Sequence, residues 1–178
     1  MRSVESLVAP ESIAIIGASE RFHHNAGRVM VNLQKSKYTG DIYLVNPNYQ
    51  TISGIHCYPS VLDIEGKVDL VCIIVPFKHT PSILRECVQK KVKSVVIISS
   101  GFSESGPEGV HREEELREIV RGTDTAVYGP NAPGLYHFIG NWGISFSPRF
   151  EPANFHGGSV GVISHGGSLG RAVVDANE

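Results

Sequence analysis

From residue 12 to residue 130, short runs rich in Val and Ile alternate with stretches of helical period, and that alternation limits what the chain can build. A strand that returns parallel to its neighbour needs a crossover long enough to hold a helix, so a βαβα order gives a parallel sheet covered by helices, with right-handed connections. "SIAIIG" (12–17) reads as a buried strand, "AGRVMVNLQKSK" (26–37) as a helix and "GDIYLVNP" (40–47) as a second strand closed by Pro47. After the turn-rich "ISGIHCYPSVLDI" comes "VDLVCIIVP" (68–76), apolar on both faces as central parallel strands are. "TPSILRECVQKKV" (80–92) is a helix with Pro81 in its first turn, "KSVVIIS" (93–99) a fourth strand, "GVHREEELREIVR" (109–121) a helix and "TAVYGP" (125–130) a fifth strand. From residue 134 the helical period stops. Residues 1–134 are therefore expected to form one domain and 135–156 a hairpin or linker. "SVGVISHGGSLGRAVVDANE" then restarts the strand, turn and helix order, so 157–178 is expected to be the truncated start of a second α/β domain.

Open parallel sheets bind ligands beyond the carboxyl ends of their strands. In this chain those ends carry Gly17 to Phe22, Asn46 to Tyr49, Pro76 and Phe77, Ser99 to Phe102, and Asn131 in "GPNAPG". The first of them, "GASERF", follows a strand and precedes a helix, where free backbone N–H groups and the helix dipole favour an anion. The sheet is Rossmann-like, with helices expected on both faces, yet the dinucleotide fingerprint is incomplete. Ser19 and Phe22 stand where a GxGxxG loop has glycines, and the second strand ends in Asn46-Pro47 rather than in an acid for ribose hydroxyls. Ser19 and Arg21 offer a hydroxyl and a guanidinium to a phosphate. Alternatively, Ser19 caps the coming helix and Arg21 lies in solvent.

Six blocks, "IAIIGAS…AGRVMVNL", "GDIYLVNP", "GIHCYPSVLDI", "VDLVCIIVP", "VKSVVIISSGFSESGPEG" and "GPNAPG", occur in one order. In that order the chain resembles the CoA-binding domain of NDP-forming acyl-CoA synthetases, relatives of the succinyl-CoA synthetase α subunit. The resemblance implies coenzyme A as cofactor, its adenosine diphosphate end across the strand ends and its thiol towards a second domain. Carried over by position, it implicates Gly17, Ser19, Glu20, Arg21 and Phe22 in the first turn, Asn46, Pro47 and Tyr49 after the second strand, and Pro76 after the third. Ile98, Ser99 and Ser100 follow the fourth, and Asn131 would lie near the pantetheine arm. Ala132 stands where the family commonly has Cys, and Tyr49 where the succinyl enzymes have Lys. The turn Ser164, Gly167, Ser168 corresponds to one that faces a phosphohistidine in the synthetases. The implied partners are CoA, acyl-CoA and the remaining ATP-grasp domains or subunit, with a homo-oligomer also open. The implied reaction joins an acid to CoA at the cost of a nucleoside triphosphate, through an acyl phosphate and a phosphohistidine; this portion alone is expected to be inactive.

Other chemistry weighs less. Gly166-Gly167-Ser168-Leu169-Gly170 fits the GxSxG of a hydrolase elbow, but no His follows Ser168 to complete a triad in chain order. The eight histidines show no ligand spacing, so no metal is expected; His23 and His24 alone lie beside the proposed turn. Trp142 is read as packing and "REEELRE" (112–118) as a solvated helix face. A net charge of −2 points to no nucleic acid or anionic membrane, and no apolar run approaches a bilayer span. Three scattered cysteines and an acidic, apolar-poor N-terminus suggest reduced thiols in the cytoplasm. Two other functions remain open: a stand-alone CoA-binding or regulatory module, and an NAD(P)-binding oxidoreductase domain.

Overall fold

The computed structural model describes residues 4–164 and 167–176. They fall into two compact units that do not follow the chain: Met1–Arg21 with Thr39–Ala132, and Phe22–Tyr38 with Pro133–Glu178.

The first unit begins with the short α1 (Glu5–Val8) and β1 (Ser12–Ile16). In chain order it continues with β2 (Asp41–Val45), β3 (Thr51–Ile52), β4 (Ile55–Tyr58) and β5 (Leu70–Ile73). The second unit contains α2 (Asn25–Lys35), which lies between β1 and β2 in the chain. The first unit is completed by α3 (Thr80–Gln89), β6 (Ser94–Ile97), α4 (Pro107–Ile119) and β7 (Ala126–Tyr128). Its sheet runs β3-β4-β2-β1-β5-β6-β7, parallel except where β3 meets β4. Ala14 pairs with Tyr43 on one side and Val71 on the other, and Ile16 with Val45 and Ile73. This parity sends Ala14, Ile16, Val45, Val71, Ile73, Val95 and Ile97 to one face, where they pack with Leu84 and Cys87 of α3 and Leu116 of α4. Ile13, Ile15, Leu44, Leu70 and Cys72 alternate with them and are just as fully buried. Burial of both faces is why these strands read as continuous apolar runs. It also lifts the Cys72 and Cys87 thiols far above their usual range, so neither supplies a thiolate.

Two local results differ from the sequence expectation. The stretch read as turn-rich holds the β3–β4 hairpin, closed by Ser53 (φ 52°) and Gly54 (φ 78°), the two positive φ angles that a type I′ turn demands. Conversely, residues 159–164 form no strand, and Val160, Val162 and Ile163 are exposed. A Val/Ile pattern supplies propensity, but a strand exists only where another strand takes up its backbone hydrogen bonds.

Helix α3 stops through Lys91, at φ 61°, with the Val92 N–H donating to the Cys87 carbonyl and the Lys91 N–H to the Val88 carbonyl. That is a Schellman closure with a lysine in the position glycine favours. Lys91→Gly should therefore raise stability by about 0.5–1 kcal/mol, relief of left-handed strain outweighing glycine's entropy. The check is a chemical-denaturation midpoint that moves up without a change of slope.

In the second unit α2 packs on β9, and Asn32 Nδ2 donates to the Ser145 and Ser147 carbonyls at 2.8 and 2.9 Å. There β8 (Leu135–His137) and β9 (Trp142–Ile144) pair antiparallel, and α5 (Gly167–Asp175) closes the chain. Phe150, Phe155 and Val174 form its small core with Tyr136 and Phe138. Trp142 is buried against Tyr38 and His137, ring centroids 5.5 Å away in each case, and so packs. Among the described residues no helix is long and apolar enough to cross a membrane.

Candidate functional site

The carboxyl ends of β2, β1, β5, β6 and β7 lie along one edge of the sheet, and a run of hydrogen bonds crosses from each to the next. Asn46, after β2, donates from Nδ2 to the Ala18 carbonyl after β1 at 2.8 Å. The Gly17 N–H donates to the Val45 carbonyl, and the Ile74 N–H, after β5, to the Ile16 carbonyl, both at 2.9 Å. The Val75 N–H donates to Ser99 Oγ at 3.2 Å, and the Ser99 carbonyl accepts from the Asn131 N–H at 3.0 Å. The order of the strands reverses at β1 and β5, the place where open α/β sheets leave a crevice.

This network sorts the expected site residues by what their side chains are already doing. Asn46 is engaged through both side-chain heteroatoms, its Oδ1 accepting from the Asn48 N–H at 3.0 Å while Nδ2 holds Ala18. Ser99, after β6, is buried, its Oγ accepting from the Val75 N–H just after β5 and donating to the Ile73 carbonyl at the end of β5. Ser19 Oγ accepts from the Arg21 N–H at 3.1 Å and shapes the turn from within, while Glu20 accepts from the Ser53 N–H at 3.4 Å and ties the turn to the β3–β4 hairpin. Ile98 is buried and Pro47 and Pro76 are exposed. By contrast, no side-chain hydrogen bond engages Arg21, Tyr49, Ser100 or Asn131 among the described residues, and Arg21, Ser100 and Asn131 are exposed. All four can donate, which suits a polar, anionic ligand. Asn131 sits at φ 56°, a conformation Asn tolerates better than most residues.

Phe22 belongs to the second unit and is 44% exposed, as do His23 and His24, whose rings meet edge to face at 4.5 Å. Ser164, Gly167 and Ser168 also lie in the second unit, with Gly167 and Ser168 exposed at the start of α5. His165 and Gly166, between Ser164 and Gly167 in the sequence, fall outside the described residues.

Sequence reasoning missed what builds the loop after β6. Glu104 Oε1 accepts from the Gly101 N–H at 2.6 Å and the Phe102 N–H at 3.2 Å. Arg112, expected on a solvated face, instead donates from Nη1 to the Gly101 carbonyl at 2.9 Å and lays its guanidinium 4.3 Å from the Phe77 ring centroid. Partial burial raises the Glu104 carboxyl, but the amides of Gly101, Glu104 and Phe102 together outweigh it and hold it below the usual glutamate range. A lowered carboxyl stabilises the folded state above its unfolded titration range, and that contribution is lost as pH falls through the depressed folded value. Bonds to a charged acceptor contribute ~1.5–3 kcal/mol, but this side chain is exposed and screened, which leaves about 1 kcal/mol. Glu104→Gln should therefore cost that much at pH 7, and the gap from wild type should close below about pH 4. Denaturant melts from pH 7 to pH 3 decide it; a gap independent of pH would contradict the sign.

Comparison with known proteins matches residues 11–138 to a family model described as a CoA binding domain. The acetate–CoA ligase [ADP-forming] II of Archaeoglobus fulgidus is 37% identical over 164 residues, covering 92% of this chain and 24% of that protein. The acetate–CoA ligase [ADP-forming] I subunit alpha of Pyrococcus furiosus is 38% identical over 176 residues, covering 97% of this chain and 37% of that one. Among solved structures, the Ca. Korarchaeum cryptofilum dinucleotide forming acetyl-coenzyme A synthetase 1, in complex with phosphate and ADP, superposes with a TM-score of 0.83 at 30% identity. That superposition covers 99% of this chain and 37% of the other. The chain thus spans between 24% and 37% of the length of these proteins.

Proposed function

This chain belongs to the CoA binding domain family, and from that premise we propose that coenzyme A lies across the five strand ends, held by the side chains the fold leaves free. The observation that supports this reading is the division of labour at the sheet edge. Asn46, Ser99 and Glu20 brace the loops, while Arg21, Tyr49, Ser100 and Asn131 present uncommitted donors. In this reading Arg21 and the Ser19 turn meet a phosphate, Gly17 lets the turn approach the sheet, and Pro47, Pro76 and Ile98 line the walls. Phe22 flanks the turn, and Asn131 meets the pantetheine arm.

The activity of the larger assembly follows as part of the proposal: an NDP-forming acyl-CoA synthetase that joins an acid to CoA through an acyl phosphate and a phosphohistidine. This portion supplies CoA binding and, at Ser164, Gly167 and Ser168, the turn that faces the phosphohistidine, with 157–178 opening the next domain. The remaining steps come from ATP-grasp domains or a partner subunit, in keeping with a relative whose own name is a subunit alpha. The three buried, free cysteines suit a reducing, cytoplasmic setting.

Thermal-shift titration of the chain tests the reading. Coenzyme A at a hundred times its Kd should stabilise by about 2.7 kcal/mol, a rise of roughly 5–10 °C for a chain of this size. NADH should give no comparable shift, and Arg21→Ala should weaken CoA about fivefold, as loss of one exposed charge-assisted contact does. Coenzyme A performing no better than buffer, with the fold intact, would overturn it.

A further inference from the structure

We infer that Arg112 is a positioning residue for the coenzyme A site, locking the loops after β5 and β6 into a single arrangement; the inference rests on the CoA reading above. The two loops meet at Phe77 and Gly101. Phe77 directly follows Pro76, and Gly101 directly follows Ser100, so both adjoin proposed contact residues. Gly101 is held on three sides. Its N–H donates to Glu104, its carbonyl accepts from Arg112 Nη1 at 2.9 Å, and a Cβ on it would stand 2.6 Å from Phe77 Cδ1, so the backbone rests on the ring. With φ at 104°, the peptide adopts a conformation that leaves little alternative to glycine.

Phe77 itself is 38% exposed, too open for core packing alone to fix its ring. The guanidinium over its face supplies the missing wall. Arg112 also reaches Glu108 at 3.0 Å, but Glu108 is 87% exposed, and an ion pair so open to water holds little. The bonds that organise Arg112 are therefore those to the ring and to the Gly101 carbonyl. One planar group spans both loops, and loops fixed in advance bind without an ordering cost.

Calorimetric titration of the full chain with coenzyme A, beside thermal melts and amide exchange at Gly101, tests this. Arg112→Met should weaken CoA about tenfold and speed exchange at the Gly101 amide, with the melting temperature nearly unchanged. Arg112→Lys should not rescue it, because a compact ammonium has no planar fork to stack and donate at once. Phe77→Leu should show the same loss, and the double variant Phe77→Leu/Arg112→Met should be no weaker than either single one. Should Arg112→Met fail to fold, Arg112→Lys, which keeps the stem and the charge, decides. Affinity within twofold of wild type, restoration by lysine, or unchanged Gly101 exchange each overturns the inference and leaves the CoA reading standing. A wild-type chain that does not bind coenzyme A overturns both.

Discussion

Replacing Gly109 with alanine is expected to destabilise the chain by about 3 kcal/mol or more, against the ordinary trend for glycine in a helix. Gly109 lies in the first turns of α4, where Gly→Ala normally gains roughly 1 kcal/mol from helix propensity. Here the new Cβ would fall on the carbonyl oxygen of Phe102, 2.5 Å from its carbonyl carbon and 3.3 Å from its Cα. All three are backbone atoms, so no side-chain rotation relieves the overlap. Phe102 is fully buried in the core that α3 and α4 form with the sheet, and its backbone has nowhere to retreat. Either α4 lifts away or the loop after β6 moves. Overpacking of well-filled interiors costs ~1–3 kcal/mol even where side chains can yield. The melting temperature should fall by roughly 6–12 °C. Gly161→Ala is the control: a Cβ there meets nothing within 4 Å, and the melt should be unmoved.

The collision marks a boundary in what residue order alone conveys. Parallel strands and their helices were legible because burying both sheet faces writes unbroken Val/Ile runs, and helices between them write a different period. The β3–β4 hairpin was obscured because Thr51–Ile52 is too short to show alternation; Ser53-Gly54 between Ile52 and Ile55 was the available signal. "SVGVIS" erred the other way: it has a strand's composition, yet residues 159–164 form no strand. At the site, sequence position identified which residues stand at the strand ends, but not which are braces. Asn46 and Ser99 are polar residues in loops, as ligand contacts are. What commits them to the fold is Ala18, 28 residues away from one, and Val75, 24 residues away from the other. Arg112 was hidden for the same reason. Its spacing from Glu108 fits a solvated helix face, and only the fold brings Phe77 and Gly101 beneath it.

Gly17→Ala should cost about 4 kcal/mol and abolish coenzyme A binding along with part of the fold. Two separate penalties add. With φ at 92°, Gly17 occupies backbone space that strains an L-residue by ~1–3 kcal/mol. Its Cβ would also strike the Ile74 carbonyl oxygen and stand 3.0 Å from both Ile74 C and Val75 Cγ1. Gly17 cannot swing aside, because its N–H is bonded to the Val45 carbonyl and the Ile74 N–H to the carbonyl of Ile16 before it. The overlap therefore falls between β1 and β5, at the centre of the sheet and at its point of strand reversal. Gly17→Asn separates the two penalties: asparagine tolerates positive φ but carries the same Cβ. If collision dominates, Asn should be nearly as damaging as Ala in denaturant melts; a markedly milder Asn variant would assign the cost to backbone strain. Either result bears on the loop's chemistry. Ser19, Glu20 and Arg21 follow in a turn tied to Ala18 by Asn46 and to Ser53 by Glu20, so displacing Gly17 moves every group proposed to meet the phosphate. One glycine is then enough for this loop if, as proposed, its role is to let the chain pass the Ile74 carbonyl while side chains meet the phosphate that further glycines would otherwise leave to bare backbone.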